Sequence, residues 1–226
     1  MSLLIRSWNV YHGRSHPPRR RGYLEEALRL ATADRPDALC LQELPLGALP
    51  RLSALSGMQA FAAQTRRAPL GARAGSVVTA LHHGVIRSAV SGQANAILVA
   101  REHEALDLGA VRISARGHHP RVCQAVRIAG RLVVANLHVS GPVAGTEVGC
   151  ALAWLETLLD PGEPLVLAGD FNSRPALEGF SAAGPGIDHV LVRDAEASPL
   201  RVWPEERRRQ NGTVLSDHPP VELTIE

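Results

Sequence analysis

Lysine is missing from this chain: all 24 basic side chains are arginine. A GC-rich coding genome, with its accompanying Ala, Gly and Pro, accounts for the bias. Arginine's planar, permanently charged fork suits phosphate, but composition alone does not prove that use. Aromatic residues make up only 4%, so no run of rings interleaves with the basic residues to stack bases. Cysteine is scarce too. Cys40, Cys123 and Cys150 are odd in number, widely spaced and without a C-x-x-C pair, which argues against a disulfide framework and for a reducing compartment. Cys40 lies inside an apolar run, where a thiol behaves as a small hydrophobe. No uncharged apolar stretch approaches the ~20 residues needed to span a bilayer. The opening segment, Met1 to Arg6, is interrupted too soon to be a secretory leader. Cytoplasmic residence is therefore the expectation. A formal net charge of only +2 excludes a general polyanion binder, and no linker-like composition divides the chain, so residues 1–226 are expected to form a single domain.

What is present is a series of short apolar runs. Leu3 to Val10 and Ala38 to Gln42 have the character of buried strands, separated by a helical pattern from Tyr23 to Ala33 that Pro36 stops. Pro45 to Ser56 is expected as a helix closed by Gly57. Val77–Leu81, Val85–Val90, Ala96–Ala100, Val111–Ile113 and Val122–Ile128 are β-compatible, and Gly130-Arg131 is a hairpin turn into Leu132–Leu137. Ala144–Leu159 has helical spacing, while Leu165–Ala168, Ile187–Val192 and Val221–Ile225 supply the last strands. Many short strands with few helices predict an α/β sandwich, two packed sheets with helices outside.

The strands share a feature at their ends. Asn9, Glu43, His138, Asp170, Asn172 and Asp188 fall at or just past a strand end, and Asp217-His218 falls just before one. Strands aligned so that these ends meet would gather one polar cluster at one edge of the sheets. A lone carboxylate at the mouth of a buried strand is readily structural, because burying it requires a counter-charge or hydrogen bonds. Several together, with Asn9, Asn172 and two histidines, are better explained by a site for a hard cation. Oxygen ligands without cysteine favour Mg²⁺, Mn²⁺ or Ca²⁺ over Zn²⁺. His218 is followed by two prolines that restrict it, and Asp188 offers a carboxylate to orient an imidazole.

Trp8-Asn9, Leu41-Gln42-Glu43, Asn136-Leu137-His138, Gly169-Asp170-Phe171-Asn172, Ile187-Asp188-His189 and Ser216-Asp217-His218 occur in that order. Together they resemble the endonuclease/exonuclease/phosphatase superfamily, the DNase I-like fold, over essentially the whole chain. The resemblance implies a four-layered α/β/β/α sandwich with the site at one edge of the sheets. It also implies roles. Glu43 would be the principal Mg²⁺ ligand, with Asn9 beside it and Asp217 nearby. Asp170 and Asn172 would position the attacking water and a phosphate oxygen. His218, oriented by Asp188, would act as base or phosphate-oxygen stabiliser, and His138 would donate to phosphate or leaving group. Asp170 and His218 both stay open as the base. One departure is Leu137-His138-Val139, where the family commonly has a threonine before the histidine. The chain is also short for the family, which argues against lesion-specific recognition by long insertions.

The expected function is Mg²⁺-dependent hydrolysis of phosphodiester bonds, with nucleic acid, DNA or RNA, as the first substrate. The basis for nucleic acid is Arg19-Arg20-Arg21 and Arg207-Arg208-Arg209, which could grip flanking phosphates if both runs lie on loops at the active edge. Solvated surface arginines are the plain alternative. Two other functions stay open: a phosphomonoesterase or lipid- or sugar-phosphate phosphatase, and a catalytically silent scaffold that binds a partner. A monomer without a membrane span is the expected state. His82-His83 and His118-His119 are expected as loop or surface residues, since neighbours in a strand point oppositely. Asn95, Trp154 and Trp203 are expected to serve structure.

Overall fold

The computed structural model describes residues 2–181, 184 and 186–226. In chain order β1 (Leu3–Asn9), β2 (Ser15–His16), α1 (Leu24–Thr32) and β3 (Ala38–Leu44) come first. Next are α2 (Leu52–Ser56), β4 (Gln59–Arg66), the helical pair α3 (Ala72–Leu81) and α4 (His83–Ser91), and β5 (Gln93–Val99). Then follow β6 (Ala105–Arg112), β7 (Val122–Ile128), β8 (Leu132–His138), α5 (Ala144–Leu155) and β9 (Leu165–Asp170). Last are β10 (Asp188–Arg193), β11 (Arg201–Val202), β12 (Arg209–Gln210), β13 (Thr213–Leu215) and β14 (Val221–Ile225).

Among the described residues the strands form a six-stranded sheet, β11-β14-β1-β3-β5-β4, and a five-stranded sheet, β10-β9-β8-β7-β6, with a small ribbon β12-β13-β2. The period of two along each strand divides the side chains between layers. Ile5, Cys40, Ile97, Val134, Val166 and Val190 meet between the sheets. Their sequence neighbours Leu39, Leu41 and Leu98 face outward onto Ala27, Leu28 and Ala31 of α1. On the other side Val133, Leu165 and Leu167 pack against Val148, Ala151 and Leu155 of α5. Helix, sheet, sheet, helix is thus the four-layered sandwich expected. Each fully buried aliphatic contributes ~1.5–3 kcal/mol, and three such clusters give the layers their cohesion.

Arg6 is the exception on the outer face of β1. It is fully buried, stacks on Trp203 at 4.4 Å and pairs with Glu222, its register partner on β14, and with Asp34 at 2.7 Å. Trp203 gives its Nε1–H to Glu222 Oε2 (2.9 Å) and also carries the Arg207 guanidinium over its ring at 3.4 Å. It is a packing residue, as expected.

Several elements differ from expectation. Val77–Leu81 and Val85–Val90 are not strands but belong to α3 and α4. Short apolar runs carry no period of their own. The small residues Ala72, Ala74, Gly75 and Ala80 complete α3, whose neighbour α4 ends at Gly92. The expected helix Pro45–Ser56 is a 3-10 stretch, Leu46–Arg51, interrupted by Pro50 and followed by the short α2, which Gly57 closes in the left-handed region at φ 73°. Strand β4 was not anticipated. The last long helix ends at Leu155, short of Leu159.

Candidate active site

The inner-face sets of four strands end in polar side chains at the same end of the sandwich. On β1 the series Leu3, Ile5, Ser7 closes with Asn9. On β8 Leu132, Val134, Asn136 closes with His138. On β9 Val166 and Ala168 close with Asp170, and on β10 Val192 and Val190 lead back to Asp188. Parallel pairing of β8 with β9 sets His138 opposite Asp170, and antiparallel pairing sets Asp188 opposite Asp170 on the other side. Gly169 makes this close pairing feasible. A Cβ there would lie 1.9 Å from the Leu137 carbonyl oxygen, and its φ is 147°.

Glu43 arrives differently. Strict alternation along β3, where Cys40 and Gln42 face inward, would turn residue 43 toward α1. A register shift between Leu41 and Leu44, with Glu43 at φ 56°, breaks the alternation. Such a bulge re-aims one side chain while the strand continues. Tyr11, His12, Asn172 and Ser216 share the left-handed conformation with Glu43, so among the described residues five of nine such non-glycine positions border this one site. Strained backbone of this kind concentrates where geometry serves chemistry.

The side chains form a connected network. Asn9 Nδ2 donates to Asp170 Oδ2 (3.0 Å), while Asn9 Oδ1 accepts from the Tyr11 amide (3.0 Å). Asp170 Oδ1 accepts from the Asn172 amide (2.9 Å), and Asn172 Nδ2 donates to the Val139 carbonyl (2.9 Å). His138 Nε2 lies 3.5 Å and His218 Nε2 3.8 Å from Asp170 Oδ2. His218 Nδ1 faces both carboxylate oxygens of Asp188 at 2.8 and 3.1 Å. Asp217 sits at 4.0 Å from His218 Nε2 on the exposed side. Asn9, His138, Asp170, Asn172, Asp188, Asp217 and His218 thus lie in one cluster.

Charge and burial shape the protonation states. Burial, reinforced by the neighbouring Asp188 charge, pushes the Asp170 carboxyl up to about 6, against the opposing pull of His218, Asn9 and the Asn172 amide. His218 would be lowered by burial, but the hydrogen bond and charge of Asp188, with Asp170 and Asp217, carry it up to about 9. His138 is pushed down to about 3 by burial and then by the Arg121 guanidinium, with Glu43 opposing. Burial would raise Glu43, yet the His12 hydrogen bond and the fields of His12, His138 and His218 hold it at about 2.

The donor set fits a hard cation. Glu43 stays ionised, and among the described residues Asn9 Oδ1 accepts from the Tyr11 amide and Asp217 accepts a long contact from Ser216 Oγ at 3.5 Å. All three offer oxygen. Asp170, Asp188 and His218 also bring ligand atoms within 4.8 Å of one another. Since His218 Nδ1 is taken up by Asp188, that group is better suited to handling protons than to enclosing an ion.

Four further residues support the site, two of which, His12 and Arg121, no sequence motif marks. His12 is buried and places Nε2 3.2 Å from Glu43 Oε2. Arg121 donates to Ser140 Oγ (3.2 Å) within the field of Glu43, Glu147 and Asp170. Gln42 Nε2 donates to Asn136 Oδ1 (2.8 Å) and Ser7 Oγ (3.1 Å), a polar bridge from one sheet to the other just beneath the site. Arg208 is buried, and its Nη1 donates to the carbonyls of Leu215, Ser216 and His218 at 3.0, 3.0 and 3.1 Å. The expectation that Arg207–Arg209 grips a ligand is thereby corrected. Arg208 holds the His218 loop, Arg207 pairs with Asp34 (2.9 Å) and Arg209 with Glu205. Trp8 Nε1 on the His218 carbonyl (2.9 Å) and Ser216 Oγ on the Asn9 carbonyl (2.7 Å) tie the same loop to the end of β1. Of the histidine doublets, His82, His118 and His119 are exposed, and His83 is half-buried. Asn95 is buried, its Nδ2 reaching the Val122 carbonyl at 3.4 Å.

A fold of two sheets flanked by helices, with acids, amides and imidazoles at one edge, defines a class of protein, and the comparisons agree with it. The profile of the Endonuclease/Exonuclease/phosphatase family matches residues 7–218, and the chain belongs to that family. Its members are in general metal-dependent phosphoesterases and nucleases. Among solved structures, an endonuclease/exonuclease/phosphatase from Beutenbergia cavernae DSM 12333 is similar at 17% identity and a TM-score of 0.72, covering 100% of this chain and 71% of that one. A functionally unknown conserved protein from Enterococcus faecalis V583 is similar at 16% identity and 0.72, covering 99% of each chain. TDP2 from Caenorhabditis elegans is similar at 15% identity and 0.69, covering 100% and 74%. At these identities the likeness shows the fold. No curated protein matches.

Proposed function

We propose that this chain is a divalent-cation-dependent phosphodiesterase. The observation that carries the proposal is the meeting of Glu43, Asp170 and His218, drawn from both sheets and the loop before β14, at one end of the sandwich. Glu43, Asn9 and Asp217 would hold the cation, Mg²⁺ in the first instance, with Mn²⁺ or Ca²⁺ as alternatives. Such an ion neutralises charge on the phosphoryl and leaving oxygens. Asp170 takes the proton of the attacking water, since near neutrality it is ionised and has a proton affinity suited to the task. His218 remains protonated there and, fixed by Asp188, donates through Nε2 to a phosphoryl oxygen. Neutral His138 hydrogen-bonds the leaving oxygen, and Asn172 holds a phosphate oxygen.

Nucleic acid is the first substrate to try. A second reading, a diester carrying an apolar substituent such as a lipid phosphate, draws on a recess of about 290 Å³ beside His218. Ile187, Val202, Pro219 and Val221 line it together with Asp217 and Asp188. The test is turnover of single- and double-stranded DNA, RNA, a phospholipid, bis-p-nitrophenyl phosphate and p-nitrophenyl phosphate, with Mg²⁺ and with chelator. Diester cleavage abolished by chelator is expected. Monoester cleavage alone would replace the diesterase proposal with a phosphatase, and inactivity on the whole panel would favour a binding scaffold.

A further inference from the structure

Helix α3 is turned inside out. Its buried face consists of Gly75 and Thr79, while Val77 and Leu81, one turn apart, are 69% and 63% exposed. Val85 of α4 is 74% exposed and Leu70, just ahead of α3, 58%. A surface helix ordinarily turns its large apolar residues inward, and an apolar patch contributed by adjacent elements marks a surface that something covers. The pair is firmly seated. A Cβ on Gly75 would lie 2.2 Å from the Val90 carbonyl oxygen, one on Gly47 1.9 Å from Ser76 Oγ, and one on Gly84 2.7 Å from the Arg19 carbonyl oxygen. The exposed residues therefore stand on a docked helical pair. It rests on the loops that leave the site-bearing ends of β1 and β3.

Charge indicates what covers it. Between Glu43 and Glu102 the chain has no acidic residue at all. Exposed Arg67 precedes α3 and exposed Arg73 stands in its first turn, and exposed Arg19 and Arg20 meet its C-terminal end, where Arg20 Nε donates to the Leu81 carbonyl (3.2 Å). The nearest acids on α1, Glu25 and Glu26, are already paired with Arg51 and Arg21. We infer that the α3–α4 surface docks on an anionic lipid bilayer, with Val77, Leu81 and Val85 entering the interface and the arginines meeting headgroups. Aliphatic side chains ringed by cations match the two components of interfacial binding. A second copy of this chain would bring two acid-free arginine surfaces together. A nucleic acid would leave the aliphatic residues without an apolar counterpart, and no aromatic stands among the exposed ones for stacking.

Flotation of the full chain with vesicles of phosphatidylcholine, or of phosphatidylcholine and phosphatidylglycerol, tests this. Preferential binding to the anionic vesicles is expected. The triple variant Val77→Ser, Leu81→Ser, Val85→Ser should lower the partition coefficient about tenfold or more, and Arg67→Glu and Arg73→Glu roughly fivefold each. Circular dichroism and Tm should stay unchanged, because these side chains point into solvent. Equal binding to both vesicle types, no binding, or binding unmoved by the serine variant would overturn the inference. So would a self-association by sedimentation, or retention of a DNA duplex, that the serine variant removes. No proposed catalytic residue lies on α3 or α4, so phosphodiesterase activity and vesicle binding can fail separately.

Discussion

His218 divides its work between its two nitrogens. Nδ1 is held by Asp188, leaving Nε2 to face Asp170 and the space where a phosphate would lie. His218→Ala is expected to lower kcat by on the order of 10²–10⁴ with little change in KM, the pattern of a group acting in the transition state; steady-state kinetics checks it, and a rise in KM alone would reduce His218 to a binding residue. The signs of the two shifts predict a bell-shaped pH profile. Asp170 is raised, so its basic form is lost as pH falls through about 6. His218 is raised, so its acidic form is lost as pH rises through about 9. The profile of kcat/KM should show a rising limb near the first value and a falling limb near the second, with Asp188→Asn drawing the upper limb downward. Glu43→Ala should weaken Mn²⁺ binding, read by electron paramagnetic resonance, by at least about tenfold, while leaving the thermal transition in place. Unaltered Mn²⁺ binding would remove Glu43 from the cation site.

At the scale of elements, polar residues ending apolar runs were readable without coordinates, because a strand's core segment and its exit differ so sharply in chemistry. Asn9, His138, Asp170 and Asp188 were found that way. The bulge that aims Glu43 was not readable, since it depends on how β5 pairs with β3 and not on any residue type. His12 escaped because its backbone conformation, not its neighbours in sequence, brings it to Glu43. The run Arg207–Arg209 misled for a related reason: a guanidinium can be drawn inward by carbonyls and carboxylates, as Arg208 is. Between β1 and β14 the Arg6–Glu222 pair is buried on both sides. Glu222→Ala should destabilise the fold by about 3–5 kcal/mol, because Arg6 would lose its most buried partner. Urea denaturation gives the number, and a loss below about 1 kcal/mol would mean that Asp34 alone suffices.

For the whole molecule, the two sheets share one aliphatic interior, and each outer helical layer packs on the back of one of those sheets. The chain should therefore unfold as a single cooperative unit, with calorimetric and van't Hoff enthalpies agreeing. Two resolved transitions would overturn the single-domain expectation. The sandwich itself was legible from the count and spacing of strands, whereas the α3–α4 pair was not, because its apolar runs are short and Val77, Leu81 and Val85 stand where no core needs them.

The amide pair Gln42–Asn136 has a consequence of its own. Glu43 follows one partner directly and His138 lies two residues beyond the other, so each half of the proposed catalytic machinery rides on a different slab of the molecule. Hydrophobic contact between slabs is nearly indifferent to lateral slip, whereas a hydrogen-bonded amide tolerates little. The pair works as an alignment dowel. Asn136→Leu, close to isosteric, should leave a folded protein whose two halves meet slightly off centre, and a displacement of roughly 1 Å is enough to cost about a hundredfold in rate.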